Sequence, residues 1–349
     1  MPASHAAVKH ELLVRYLDAW TPAALHGHRR VTYVEGHADA HAPAESSAVA
    51  ALRVFGEFAD LLDRHQLTMV LAGSDQTRLT ALASTLAEEF DSPLGLTVFT
   101  AAGGWASVLP ALRETKAIGS PIFGWFDGYG VTAPPPFAAV AAVAANKASE
   151  VLLALDPAVF RGLSPRAGDA FFGGTAWRGQ DGSYSGLVGC YRAALRSAGL
   201  GLAAHVELVD RDGVAELLLF ATSSERALEK FKDELWALDE YAGIRYRDPL
   251  DAGQTLLDIS LQPHLAPLRR SLLGQIVHTG NSTVAELRSH TVRETVYRAG
   301  DVNRAVQALV AAGSVQRQPA AGRLSPETVL RPAAVVAAEA EDADADVDE

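Results

Sequence analysis

The sequence predicts an α/β protein: a mostly parallel sheet with helices on both faces, followed by a smaller helical module. Three observations predict it. Short apolar runs alternate with amphipathic helical stretches as far as Leu155. Two later apolar runs flank Asp210-Arg211-Asp212-Gly213, an antiparallel hairpin signal. Beyond about residue 254 the alternation gives way to three helical stretches and a turn between two short β-prone runs.

The first helix is expected over residues 9–20, with Leu12, Leu13, Tyr16, Leu17 and Trp20 on one face. Pro22 should end it, because a residue before proline is pushed out of the helical region. A strand over residues 31–34 runs into Glu35-Gly36, and a loop leads to a helix over residues 48–64 that starts near Ser46 and Ser47. Residues 68–72 form the second strand, ending in Gly73-Ser74-Asp75 before a helix over 76–90. The third strand is 96–100, with a short helix over 105–113. The fourth is 121–126, ending in Asp127-Gly128-Tyr129-Gly130. Three prolines then precede a helix over 137–145, and the fifth strand is 150–155.

Residues 171–189, rich in glycine and polar side chains, read as a loop or mobile lid, with a helix over 187–198. The strands of the hairpin are 203–209 and 215–222, and Ser224 caps a helix over 224–238. Five parallel strands closed by an antiparallel hairpin make the Rossmann-like, seven-stranded sheet of S-adenosylmethionine-dependent methyltransferases. The dehydrogenase form of the Rossmann fold lacks that hairpin. A linker over 248–254 leads to helices over 265–278, 283–289 and 301–312, with Gly313 as a C-terminal cap and strands over 314–318 and 328–331. Three helices and a hairpin in that space read as a winged helix-turn-helix. The expected division is 1–253 for the α/β domain, 254–332 for the winged helix, and 333–349 for a disordered acidic tail.

Composition bounds the function. The chain of 349 residues carries a net charge of −12, yet residues 264–332 hold nine arginines against four acids. An acidic body with a basic module leaves room for a local polyanion site and excludes a uniform nucleic-acid coat. The single cysteine, Cys190, excludes an intrachain disulfide framework and is expected to be a buried helix residue. A cytoplasmic location is expected. No run reaches the roughly 20 apolar residues of a membrane span, and no secretory signal is read at the start. His37 and His41 stand four apart with Asp39 between, but a loop does not give them helical geometry, so no metal is expected.

Several stretches carry a resemblance. Lys9-His10-Glu11 with Tyr16-Leu17 and Trp20, residues 31–42, residues 121–130, Phe172-Gly173 with Trp177, and Phe231-Lys232 with Leu235-Trp236 resemble the three-Cys-motif partner protein family. More distantly, the amino-terminal part is similar to the 23S rRNA adenine-N6 methyltransferases, through Lys9-His10 and the loop Glu35–His41. The resemblance implies S-adenosylmethionine as cofactor and a partner protein similar to radical S-adenosylmethionine enzymes. It implies that His10, Glu35, Gly36, His37 and Asp75 touch the cofactor. Asp127 would accept a hydrogen bond from an attacking amine, and Tyr129 would stack on a flipped base. The chain departs from the pattern where Asp39 and His41 replace glycines that let backbone approach the ligand. Two readings stand open. One is a methyltransferase-fold protein with a degraded cofactor site that acts with a partner, with DNA or RNA as a further ligand through residues 264–332. The other is a non-enzymatic nucleic-acid-binding or scaffolding protein whose strand-end acids cap helices.

Overall fold

The computed structural model describes residues 5–89, 95–129, 131, 133–180, 182–238 and 243–333. The tail expected to be disordered, from residue 334 onward, lies outside the described residues, as does Gly130.

In chain order the first half comprises α1 (His5–Gly27), β1 (Arg30–Gly36), α2 (Ser47–Gly56), α3 (Ala59–Leu62), β2 (Gln66–Gly73), α4 (Gln76–Glu89), β3 (Leu96–Ala102), α5 (Val108–Glu114), β4 (Ile122–Asp127), α6 (Phe137–Ala144) and β5 (Glu150–Leu155). Then follow α7 (Val159–Gly162), α8 (Pro165–Phe172), α9 (Tyr184–Ser197), β6 (Leu202–Val209), β7 (Ala215–Thr222), α10 (Glu225–Trp236), β8 (Arg245–Arg247) and β9 (Leu256–Asp258). The last part is α11 (Ala266–Thr279), β10 (Ser282–Thr283), α12 (Val284–Glu294), α13 (Val302–Ala311), β11 (Val315–Gln318) and β12 (Val329–Pro332).

The main sheet has the order β3-β2-β1-β4-β5-β7-β6-β8-β9. The pairs among β1 to β5 are parallel, and β7 enters antiparallel to β5. That is the predicted arrangement with one correction: the sheet has nine strands, not seven. β8 and β9 add to the edge of β6, where the sequence shows no strand pattern. Each is only three residues long, too short for an alternating pattern to register.

Four further expectations give way. α1 runs through Pro22 to Gly27. The donor that proline lacks would have met the carbonyl of Asp18, which is exposed, while Leu25 beyond it is fully buried and anchors the last turn. The helix after β1 breaks at Phe58, which leaves the helical region at φ −102° and ψ 28°. The expected lid is largely helical and packed. Trp177 stacks on Phe172 with ring centroids 5.5 Å apart, and its Nε1 donates to Asp169 at 3.0 Å. Cys190 is half-buried rather than buried.

The sheet is covered on both faces. α5, α6, α8 and α9 form one apolar layer with it, and α1, α2, α4 and α10 the other. Leu268, Leu272, Ile276, Leu287 and Val306 of the last module join this second layer in one continuous core. The module is three helices with a three-stranded sheet, order β10-β12-β11, and Thr283 and Glu286 form a capping box at α12. Among the described residues no helix is long and apolar enough to cross a membrane.

One side chain fastens the module to the body. Lys232 on α10 is fully buried, and its Nζ donates to the carbonyls of Thr291, Val292, Thr295 and Tyr297 at 2.5–3.0 Å. These are carbonyls at and just beyond the end of α12; that of Thr291 also accepts from the Thr295 amide and hydroxyl. Trp236 Nε1 donates to Val296 at 3.0 Å, and Arg192 reaches the carbonyl of Arg293 at 2.7 Å. Burial pulls the Lys232 ammonium down to about 7, with Asp248 opposing that shift. Lys232→Met keeps the stem and removes the buried donor shared by these carbonyls, so it should cost about 3 kcal/mol or more in urea unfolding. A loss below about 1 kcal/mol would show that the grip contributes little.

Candidate active site

The carboxyl ends of β1, β2 and β4 meet where the strand order reverses, the usual place for a ligand in an open α/β sheet. Glu35 lies at the end of β1 but turns into the core and is only 3% exposed. Its carboxylate accepts from Tyr33 Oη and Ser47 Oγ, both at 2.7 Å, and Ser47 in turn accepts from Trp125 Nε1 at 3.2 Å. Burial pushes the Glu35 carboxyl up to about 7 against the pull of these two hydroxyls.

Beyond Glu35 the crevice is filled. A Cβ built on Gly36 would come within 2.3 Å of the Trp105 ring and 2.7 Å of Phe126. Glycine is needed there for the chain's own indole, whose Nε1 donates to the carbonyl of Ala133 at 3.2 Å. His37 follows in the left-handed region at φ 64°, with its ring centroid 5.9 Å from that of Trp105. Neither Asp39 nor His41, where glycine was expected, has a positive φ. The strained position is His37 instead.

Asp39 fills the neighbouring space above β2. Its Oδ2 accepts from the backbone amides of Ser74 at 2.8 Å and Asp75 at 2.7 Å, and from Ser74 Oγ at 3.0 Å. Burial works to raise this carboxyl, but the Asp75 and Ser74 donors outweigh it and hold it below the usual range. Asp75 itself is exposed, and its Oδ1 caps α4 through the amides of Thr77 and Arg78 at 2.8 and 3.1 Å. Helix capping, the alternative reading for Glu35 and Asp127, is the role that Asp75 plays instead.

At the end of β4 the structure brings Asp127 against Lys9. Lys9 Nζ lies 2.7 Å from Asp127 Oδ2 and 2.6 Å from Oε1 of Glu216, a fully buried acid on β7. Burial opposes the Lys9 charge, but the two carboxylates prevail and raise it. Burial also pushes Glu216 up to about 7, with Lys9 pulling down and Asp127 pushing further up. One ammonium thus serves two acids, and the cluster can hold a proton near neutrality. Asp127 Oδ1 accepts from the Tyr129 amide at 3.1 Å. The Tyr129 ring packs beside His5, with Lys9 Nζ 5.5 Å from its centroid.

An open cleft of about 380 Å³ lies on the α1 side of this edge, lined by His10, His41, Glu45, Ser47, Trp125 and Asp127. Burial lowers His10, with His41 and Arg53 adding to the shift, so its ring is neutral at neutral pH. The structure thus collects His10 and Asp127 in one cleft, places Glu35 directly behind its Ser47 wall, and leaves Gly36, His37 and Asp75 on the filled side. Sequence reasoning missed Glu216, Ser47, Trp125 and Trp105. Two had signals: Glu216 is the only acid in an apolar strand, and Trp105 directly follows Gly103-Gly104. Among the described residues no group of three or more metal-ligating side chains comes together.

Part of the basic excess of the last module is taken up by internal contacts. Arg270 pairs with Asp251 at 3.0 Å, Arg293 with Glu225, and Arg298 and Arg304 share Asp301 at 3.2 and 2.7 Å. Arg317 folds onto its own turn, donating to the carbonyls of Pro319, Ala321 and Gly322.

Glu35 gives a pH test. Its folded carboxyl, at about 7, binds a proton more tightly than a free one near 4.5. Its contribution is therefore complete below the free value and lost as pH rises through about 7. Glu35→Gln should be more stable than the parent by about 1–3 kcal/mol at about pH 8 and nearly equal at about pH 4.5, by urea unfolding at each pH. An equal gap at both pH values would mean that Glu35 is ionised in the fold.

No protein-family model and no curated protein matches the chain. Solved structures are similar at low identity. The crystal structure of EvdMO1 is 11% identical over 62% of this chain, with a TM-score of 0.35, and the match spans 42% of that longer protein. Trm1 from Pyrococcus horikoshii, solved in complex with S-adenosyl-L-methionine, is 12% identical over 97% of this chain and 94% of its own, with a TM-score of 0.37. The SAH-bound methyltransferase PaMTH1 from Podospora anserina is 14% identical over 62% of this chain and 88% of its own, with a TM-score of 0.26. Likeness of this degree carries no argument about chemistry, and the α/β assignment rests on the chain's own strand order.

Proposed function

We propose that this chain is a methyltransferase-fold binding protein, of the three-Cys-motif partner kind, in which the adenosyl crevice is closed by the protein's own side chains. The order β3-β2-β1-β4-β5-β7-β6 supports the methyltransferase reading of the sheet. The observation that carries the closure is the double plug: Trp105 against Gly36, and Asp39 on the amides that end β2. A ribose and an adenine laid along β1 and β2 would need the volume that these side chains hold. The residues present therefore do not fit S-adenosylmethionine, and no methyl-transfer step is derived. The expected acceptor, Asp127, is also engaged, by Lys9 and the Tyr129 amide.

The last module reads as a winged helix docked rigidly on the body through Lys232. Its helix α13 exposes Arg304 as its one basic side chain, and that arginine is tied to Asp301. A surface with so few free cations suits protein contact better than a phosphate backbone. The role that follows is recognition: a ligand or partner group enters the cleft of His10 and Asp127, and the winged helix contacts a partner protein.

Calorimetry with S-adenosylmethionine and S-adenosylhomocysteine tests the closure. No heat of binding is expected with either at millimolar ligand, and binding of either at micromolar affinity would overturn the reading. A filter-binding or polarisation assay with duplex DNA and structured RNA should give only weak affinity. A tight, steeply salt-dependent complex that disappears on neutralising Arg269, Arg323 and Arg331 would instead favour the nucleic-acid alternative.

A further inference from the structure

A second cavity, of about 760 Å³, opens at the opposite end of the sheet, where β4 and β5 begin and α10 starts. Its volume falls in the range of small-molecule sites. Tyr16 and Trp20 of α1 form one wall, and Glu150, the first residue of β5, faces it from the sheet. Glu150 is 7% exposed, and its Oε2 accepts from Tyr16 Oη at 2.7 Å. Its other oxygen has no hydrogen-bond donor and no cation among the described residues. That oxygen is not among the fully buried unpartnered atoms, so it stays open to a donor or cation that enters the cavity.

The first turns of α10 line the other wall with Arg226 and Lys230. Lys230 is already paired with Glu234 at 2.6 Å. Arg226 is exposed and makes no ion pair among the described residues. A guanidinium left free at a cavity mouth is suited to a carboxylate, which it can grip through two parallel hydrogen bonds. The cavity lining thus combines a buried acid, an exposed guanidinium without an ion pair among the described residues, and aromatic and alanine surface.

We propose that this cavity binds a small zwitterion of the amino-acid class, with the ligand ammonium on Glu150 and its carboxylate on Arg226. The apolar body of the ligand lies along Trp20 and Tyr16. The site is independent of the adenosyl crevice, which lies at the other edge of the sheet. Binding the ammonium requires Glu150 to be ionised, and burial holds that carboxyl up to about 7 against the pull of Tyr16. Affinity therefore rises with pH through neutrality, and protons are released on binding below that point. The other charged or titratable groups facing the cavity are His26 and His28 beside α1, and Glu229, Lys230 and Asp233 on α10. Glu150→Gln separates their influence from that of Glu150.

The test is calorimetry on the full chain with each common L-amino acid as probe, at millimolar concentration. At least one should bind, and its amine analogue lacking the carboxylate should bind about tenfold more weakly or worse. Glu150→Gln should lose about tenfold in affinity together with the pH dependence, and Arg226→Gln about tenfold at unchanged pH dependence. Because Arg226 is exposed, its variant folds whether or not Glu150→Gln does. Heat with no amino acid overturns the proposal, as does an affinity indifferent to Arg226→Gln.

Discussion

The ammonium of Lys9 holds three parts of this protein to one point. It lies within 2.7 Å of Asp127 at the end of β4 and of Glu216 on β7, while its own helix, α1, crosses one face of the sheet. Without a cation there, two acids would face each other in a largely buried site, an arrangement that cannot keep both charges. The bridge therefore fixes where α1 sits, and α1 supplies one wall to each of the two cavities. It also turns Asp127 from a free acceptor into half of an ion pair.

Similar internal pairing recurs along the carboxyl edge, although Asp39 Oδ1 and His37 Nδ1 are buried without a hydrogen-bond partner among the described residues. Glu35 is bonded by Tyr33 and Ser47, Asp39 by the amides of Ser74 and Asp75, and the space over Gly36 is occupied by Trp105. A ligand site in an α/β sheet normally leaves such amides and carboxylates open at the strand ends. Here they are closed by neighbours, which leaves the cleft beside His10 as the open surface of that edge. The module at the other end of the chain follows a similar rule. Arg270, Arg293, Arg298 and Arg304 meet acids of the body and of its own turns, and Lys232 takes up the carbonyls at the end of α12.

Much of the fold is legible in the sequence. The five parallel strands, the hairpin of β6 and β7, the serine cap of α10 and the glycine just beyond α13 all follow from local pattern and turn chemistry. The site is legible only in part. Glu35, His10 and Asp127 stand out because they lie at strand and helix ends, where function concentrates. What each of them faces is not legible. Glu216 lies 207 positions after Lys9, and nothing local to either residue specifies their meeting.

Sequence alone determined the order of elements, the apolar faces and the positions where acids end strands, because these depend on short-range periodicity and backbone preference. Tertiary structure decided the fate of those acids. Pairing of β4 beside β1 brings Trp125 to Ser47 and Glu35, and the loop after β3 swings Trp105 over Gly36. It also decided that α1 survives Pro22, since burial of Leu25 outweighs one missing hydrogen bond. Such outcomes depend on desolvation and close packing between residues far apart in the chain, and neither quantity is written in a local stretch of sequence.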